Sequence, residues 1–410
     1  MSCVVINIGT ELLSGEILNT NLKFLSRSLL EEGIPVKLQV TLPDDKEEIK
    51  RTLQELFPRF SIFIITGGLG PTQDDLTREA VSEATGLPLI LERGLRREIE
   101  ERLRERGRKL LPEQEKMAYL PRGAKPLPNS RGLAPGIYLE WEGRKIFLLP
   151  GVPEEMQEVW KSVRRFLDKE RNVHYRWETL KTWGLPESEI NRRIKDLMEK
   201  KNPRIGLLPS ISGVEITLCA RGGTPVEAEE ILERTEEELR RRLGDFIYSS
   251  GNTPMEKVVG ALLRIKKKTV SVAESCTGGK ITARLTNIPG SSAYFMGGVV
   301  VYSNSSKVNI LKVKEETLME KGAVSEDVAK EMAQRVREIF STDLGVSVTG
   351  IAGPGGGTPE KPVGLVYIAL NDGENSRVKR NLFPGDRESV REKATLTALD
   401  LLRRYLIGSI

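Results

Sequence analysis

The sequence predicts an α/β protein, two doubly wound α/β domains flanking a small α+β module. Three observations carry that expectation. Apolar strand-like runs alternate with amphipathic helical stretches near the start of the chain and again after about residue 251, the pattern of a parallel sheet covered by helices. Residues 175–249 instead read strand, helix, two strands, helix, strand, the β-α-β-β-α-β order of a compact α+β unit. Two glycine-rich loops, Thr66–Asp75 and Thr349–Thr358, each end an apolar strand, where such sheets place their ligands.

The elements follow in order. Residues 3–8 form a buried strand, and a helix over about 21–32 stops at Gly33. Val36–Leu42 is a second strand, after which Asp44 with Glu47 three residues on is a capping-box start. Ser61–Thr66 is a third strand, running into the first glycine loop and a helix closed by Gly86-Leu87-Pro88. A hairpin turns on Glu142-Gly143 and leads to a helix over 154–167. The charged stretch Asp168–Asn172 reads as a linker, and Ser250–Pro254 punctuates a second boundary. Strands at 269–273 and 298–302 and a closing helix over about 386–405 follow. The expected domains are 1–170, 171–250 and 251–410, since 410 residues exceed one ordinary core.

Composition narrows the chemistry. A single histidine, His174, argues against a Ser-His-Asp triad and rules out a His-rich metal cage. Catalysis then falls to carboxylates, hydroxyls, lysines and backbone amides. The net charge of +5 is too small an excess on so large a surface to argue for nucleic acid. Cys3, Cys219 and Cys276 are widely spaced with no CxxC, which makes neither a disulfide framework nor a zinc site and fits a reducing cytosol. No apolar run approaches a membrane span and no signal-peptide pattern opens the chain. A cytoplasmic protein without a membrane partner is expected.

In the N-terminal region, Gly67, Gly68 and Gly70 let backbone amides approach phosphate oxygens, with Thr72 and Thr77 flanking them. Asp74 and Asp75 stand directly downstream. Carboxylates beside a pyrophosphate repel it unless a divalent cation lies between, and that cation would polarise the phosphoryl group and activate water. Glu11, after the first strand, reaches the same sheet edge as a further ligand or base. The competing explanation makes Asp74 and Asp75 the N-cap and first turn of the next helix.

In the C-terminal region, Glu274-Ser275-Cys276-Thr277-Gly278-Gly279 turns from strand into helix and exposes a serine among free amides. Serine needs a base, and a lysine kept neutral by burial can supply one. Lys307, in Tyr302-Ser303-Asn304-Ser305-Ser306-Lys307, is the candidate. The loop holding Gly353, Gly355, Gly356 and Thr358 would complete an anion or oxyanion site, and Arg387 and Arg391 could pair with an anionic substrate group. Each piece also has an ordinary structural explanation, with Ser275 an N-cap and Lys307 a surface residue. Convergence of three strand-end loops favours a site. Cys276 is the rival nucleophile.

Together Gly9-Thr10-Glu11-Leu12-Leu13-Ser14-Gly15, Gly67-Gly68-Leu69-Gly70-Pro71-Thr72 with Asp74, Asp75 and Thr77, and Leu149-Pro150-Gly151-Val152-Pro153 with Glu155-Met156 resemble the CinA (competence/damage-inducible) family. Ala273-Glu274-Ser275-Cys276-Thr277-Gly278-Gly279, Tyr302-Ser303-Asn304 with Lys307, Thr349–Thr358 and Gly385-Asp386-Arg387 extend the resemblance to that family's nicotinamide-nucleotide amidohydrolase domain. The resemblance implies a molybdopterin-binding-like first domain with ADP-ribose pyrophosphatase activity, dependent on a divalent metal ion (Mg, Mn or Co) at Asp74, Asp75 and Glu11. It implies that the last domain deamidates nicotinamide mononucleotide (NMN) without a cofactor. Ser275 would be the nucleophile, Lys307 its base, Tyr302 and Thr349 orienting groups, and an arginine the phosphate holder. A KH-like middle module and a homodimer are implied too, but the GxxG that clamps nucleic acid is missing between the module's first helix and next strand, at Glu199–Arg204. The alternatives are a competence-related interaction protein, or molybdopterin binding or nucleotidyl transfer by the first domain.

Overall fold

The computed structural model describes residues 2–167 and 173–410, so the stretch Asp168–Asn172, read above as a linker, lies outside the described residues. The chain divides into two compact units, Met1–Arg176 with Arg221–Ala228, and Trp177–Ala220 with Glu229–Ile410.

The first unit is built on β1 (Cys3–Ile8), β2 (Val36–Leu42) and β3 (Ile62–Thr66), with a two-stranded ribbon of β4 (Leu89–Leu91) and β5 (Tyr119–Pro121). Strands β6 (Lys125–Leu127), β7 (Gly136–Trp141) and β8 (Arg144–Leu149) complete the main sheet, in the order β2-β1-β3-β8-β7-β6. β1, β2, β3 and β8 run parallel, while β7 and β6 add an antiparallel edge. Alternate residues of the same strands feed separate cores: Val4, Ile6, Phe63 and Ile65 join one apolar cluster, and Val5, Ile62 and Ile64 join another. The period-2 geometry of a strand makes that division, and both faces are covered. The hairpin at Glu142 (φ 46°) and Gly143 (φ 75°) has the positive φ angles of a tight primed turn.

One capping expectation fails by a residue. Asp45, not Asp44, caps the helix Lys46–Leu56 by accepting from the Glu48 amide. Asp44 instead accepts from the amide and hydroxyl of Thr10, tying the loop after β1 to the loop after β2.

β9 (His174–Thr182), β10 (Arg204–Ser210), β11 (Gly213–Gly222) and β12 (Ile247–Ser250) form a sheet in the order β10-β11-β9-β12, with the helix Glu187–Met198 between β9 and β10; all of it but residues 174–176 and 221–222 belongs to the second unit. The GxxG position between that helix and β10 carries no glycine pair. The closing sheet holds β13 (Val270–Glu274), β14 (Phe295–Val300), β15 (Leu344–Gly350), β16 (Leu365–Asn371) and β17 (Ser376–Leu382), in the order β14-β13-β15-β16-β17. β14, β13 and β15 are parallel, and β16 and β17 return antiparallel. Strand–helix alternation therefore stops at β15, because the Gly- and Pro-rich segment 351–364 holds no helix to cross over with. The strand expected at 298–302 also begins and ends earlier. Ser303 and Ser306 form a capping box that starts the helix Asn304–Asn309, so Tyr302 belongs to the connecting turn. No helix among the described residues is long and apolar enough to cross a membrane.

Candidate functional site

The C-terminal candidate residues meet at the carboxyl ends of β13, β14 and β15. β13 ends at Glu274, whose wholly buried carboxylate accepts from the amides of Gly279, Ile281 and Thr282 and from the Thr282 hydroxyl. That one side chain caps the helix Lys280–Thr286 from across the turn. Ser275 is accordingly not an N-cap, as the structural explanation had it. Gly278 (φ 61°) and Gly279 (φ 94°) let the chain reverse inside this span. On the other side Arg391 donates to the carbonyls of Cys276 and Thr277. Amides gripped by a carboxylate and carbonyls gripped by a guanidinium hold the serine turn in one shape.

Lys307 is 1% exposed, and its Nζ lies 3.2 Å from Ser275 Oγ, 2.9 Å from the Val301 carbonyl and 3.4 Å from the Tyr302 carbonyl. Two of these partners can only accept. A neutral amine has two N–H bonds and one lone pair, so with both N–H groups given to carbonyls the lone pair faces the hydroxyl. Burial pushes the lysine below its ordinary range, with the nearby Cys276 pulling weakly the other way. Among the described residues no hydrogen bond ties the amide of Cys276 or Thr277 to another residue, so these two amides, next in the chain after Ser275, are candidate donors for an oxyanion. Burial pushes the Cys276 thiol up to about 12, so the rival nucleophile is held in its unreactive form.

The remaining expected residues divide. Arg387 donates to the Gly353 carbonyl at 2.7 Å and to the Tyr302 hydroxyl at 3.0 Å, which ties the second glycine loop to the lysine's turn. Arg391 has all its nitrogens engaged, two groups on the serine turn and one on Glu388. Arg387 is therefore the arginine with capacity to spare. The Thr349 hydroxyl is turned away, donating to the Ala323 carbonyl. Thr358 spends its polar groups inside its own loop on Glu360 and Lys361, and Gly355 and Gly356 are exposed.

The N-terminal candidates are arranged differently. A side chain at Gly67 would strike the Ile8 carbonyl, so only glycine fits that bend (φ 105°). Thr77 is buried, and its hydroxyl and amide bind the Gly67 and Gly68 carbonyls. The wholly buried Arg78 donates to the carbonyls of Leu69 and Gly70. Both residues hold the loop from behind: Thr77, expected beside the ligand, spends its hydroxyl and amide on the loop's own carbonyls, and Arg78 was not read from the sequence. The helix begins only at Thr77, so the capping explanation for Asp74 and Asp75 also fails. Asp75 Oδ2 accepts from the amide and hydroxyl of Thr72, and Asp74 is exposed.

Glu11, Asp74 and Asp75 do not converge. Asp75 lines a cavity of about 530 Å³ with Gly68, Gly70, Arg106, Arg131 and Glu155, whereas Glu11 lines a smaller one. Among the described residues no group of three His, Cys, Asp or Glu side chains is placed to hold a metal ion. The larger cavity does offer two carboxylates. Glu155 is steered there by Asn129, whose Nδ2 donates to Glu155 Oε2 at 2.7 Å and to the Ala134 carbonyl at 2.7 Å. A side chain at Gly132 would collide with that carboxylate. One oxygen each of Asp75 and Glu155 remains open, a donor set that fits a hydrated cation arriving with phosphates rather than a closed protein cage.

Comparison with known proteins matches all three regions. The family model described as "Probable molybdopterin binding domain" covers residues 4–169, "Damage-inducible protein CinA KH domain" covers 178–249, and "CinA C-terminal domain" covers 252–406. A CinA-like protein of Dictyoglomus thermophilum is 45% identical over 411 residues, covering 100% of each chain. A CinA-like protein of Dictyoglomus turgidum is 43% identical over 410 residues, again covering 100% of each. The crystal structure of competence/damage inducible protein CihA from Agrobacterium tumefaciens is 40% identical and covers 36% of this chain and 91% of its own, with a TM-score of 0.36.

Proposed function

Because the chain belongs to the CinA family over its whole length, with a molybdopterin-binding-like domain, a KH-like module and a CinA C-terminal domain, we propose that it is a two-site hydrolase of pyridine nucleotides. The C-terminal site converts NMN and water to nicotinate mononucleotide and ammonia. The observation that carries this reading is the buried Lys307, its amine donating to two carbonyls and facing Ser275 Oγ.

Ser275 Oγ attacks the carboxamide carbon as Lys307 Nζ takes its proton. The oxygen that becomes negative is met by the amides of Cys276 and Thr277. When the C–N bond breaks, the Lys307 ammonium protonates the departing nitrogen, and ammonia leaves an acyl ester on Ser275. Water attacks that ester, gives a proton to Lys307, and the serine oxygen recovers its proton from the ammonium. Arg387 holds the ribotide phosphate, and Arg391 and Glu274 keep the serine turn in place. Incubation with NMN tests this directly. Stoichiometric ammonia and nicotinate mononucleotide are expected from the wild type and neither from Ser275→Ala; equal turnover by both would refute the assignment.

The N-terminal site cleaves the pyrophosphate of ADP-ribose or a related dinucleotide. Amides of the Gly68–Gly70 loop bind phosphate oxygens, and Arg106 and Arg131 offset their charge. A divalent cation (Mg, Mn or Co), when bound, would be held by Asp75 and Glu155 and would polarise the phosphoryl group. ADP-ribose cleavage that requires added divalent metal and stops with EDTA is the expected result, and cleavage in EDTA would count against it.

A further inference from the structure

Arg78 is a wholly buried guanidinium with no carboxylate to match it. Its Nη1 donates to the Leu69 carbonyl at 2.8 Å and its Nη2 to the Gly70 carbonyl at 2.9 Å, while Nε is buried with no acceptor. Neither nearby carboxylate is its ion-pair partner: Asp75 Oδ2 accepts from Thr72, and Glu79 Oε1 lies 3.7 Å from Lys116 Nζ. Burial works against the positive charge, and Glu79 and Asp75 favour it only through space. Arginine is almost never fully buried unless paired. A buried charge in this position therefore asks what balances it.

The backbone in front of it gives the answer. Thr77 and Arg78 donate to three successive carbonyls, those of Gly67, Gly68 and Leu69. Each of these carbonyls shares a planar trans peptide with the next residue's N–H, and in such a peptide the two groups point opposite ways. The amides of Gly68, Leu69 and Gly70 are thereby turned away from Thr77 and Arg78. Among the described residues none of the three binds another residue. Gly68, Leu69 and Gly70 line the cavity of about 530 Å³, whereas Thr77 and Arg78 do not. Three successive free amides with a positive charge behind them make a cradle for an anion.

The cavity's own cations, Arg106 and Arg131, are exposed, where salt screens them, and Arg78 is not. We infer that Arg78 is a positioning residue of this site, acting through the loop without touching the ligand. It fixes the amides of Gly68, Leu69 and Gly70 toward a diphosphate and keeps behind them a positive charge that the ligand's negative charge balances. This rests on the reading that the loop receives phosphate groups.

The experiment is calorimetric titration of the full chain with methylene diphosphonate, an uncleavable diphosphate, in the presence of magnesium. Arg78→Gln, which keeps a donor for the carbonyls but not the charge, should weaken binding at least about tenfold. Arg78→Lys, which keeps the charge, should recover affinity to within a few-fold of wild type. A purely structural arginine would instead lower the stoichiometry and leave the affinity of the folded fraction alone. Unchanged affinity in Arg78→Gln, equal losses from both substitutions, or no binding by wild type overturns the inference. Should neither variant fold, a crystal soak of the wild type with the same probe decides. Phosphonate oxygens within hydrogen-bond distance of the Gly68, Leu69 and Gly70 amides, with Arg78 still on its two carbonyls, are expected; the probe bound elsewhere, or Arg78 swung out to touch it, overturns the inference. If wild type fails to cleave ADP-ribose while only Arg78→Gln loses the probe, the substrate reading fails and the role of Arg78 stands. If cleavage is normal and both variants bind the probe like wild type, the role of Arg78 fails alone.

Discussion

The two candidate sites use the same scaffold feature, glycine-bearing loops at the carboxyl ends of strands, but differ in how finished they are. In the C-terminal site the pair proposed to react, Ser275 and Lys307, is in contact, buried and followed by two amides that bind no other residue. In the N-terminal site two carboxylates line an open cavity, and each keeps an oxygen unspoken for. The difference fits the two chemistries proposed. Amide hydrolysis by serine needs only groups the chain itself carries, so folding can assemble everything. Phosphoryl chemistry needs countercharge that arrives with the ligand, and a site pre-closed around bare carboxylates would repel its substrate.

Substitutions can break that contrast. Ser275→Ala should lower ammonia release from NMN by at least about 10³-fold, since the proposed nucleophile is lost, and leave ADP-ribose cleavage at the wild-type rate. Coupled discharge of both substrates would show that the sites are not independent. Asp75→Asn should reduce ADP-ribose cleavage by about 10²-fold with NMN turnover unaffected, read from parallel assays of one preparation.

Subtler variants sharpen the comparison within the C-terminal site. Arg387→Ala should raise KM for NMN about tenfold with little change in kcat, as expected for a group that holds the substrate's phosphate. Arg391→Ala should do the opposite, lowering kcat with KM nearly constant, because its guanidinium grips the serine turn. Identical effects from both would remove the distinction. The smallest change is expected from Cys276→Ala, under about threefold in kcat, since burial keeps that thiol protonated.

Legibility in the sequence tracked locality. Ser275 and the glycines beside it lie within a few residues of one strand end, and Lys307 follows the next strand, so motif and strand pattern sufficed. Glu274 sits in the same motif, yet its capping of amides at Gly279, Ile281 and Thr282 depends on how the turn closes. In the N-terminal region chain proximity misled. Asp74 and Asp75 adjoin the glycine loop, but Glu155 reaches the cavity from far along the chain through Asn129, and Glu11 goes to a different cavity. The antiparallel return of β16 and β17 was missed because glycine and proline content marks a loop without saying where it leads.

The proposed amide hydrolysis turns on an uncharged amine at Lys307. Titrating its side chain by carbon-13 NMR of the full chain, alongside kcat/KM for NMN, tests this most directly. Desolvation lowers the folded pKa, so the amine should lose its proton below the ordinary lysine value of 10.5, and kcat/KM should climb with pH through that same midpoint and fall away in acid. A midpoint at or above 10.5, or a rate that ignores the titration, would contradict it.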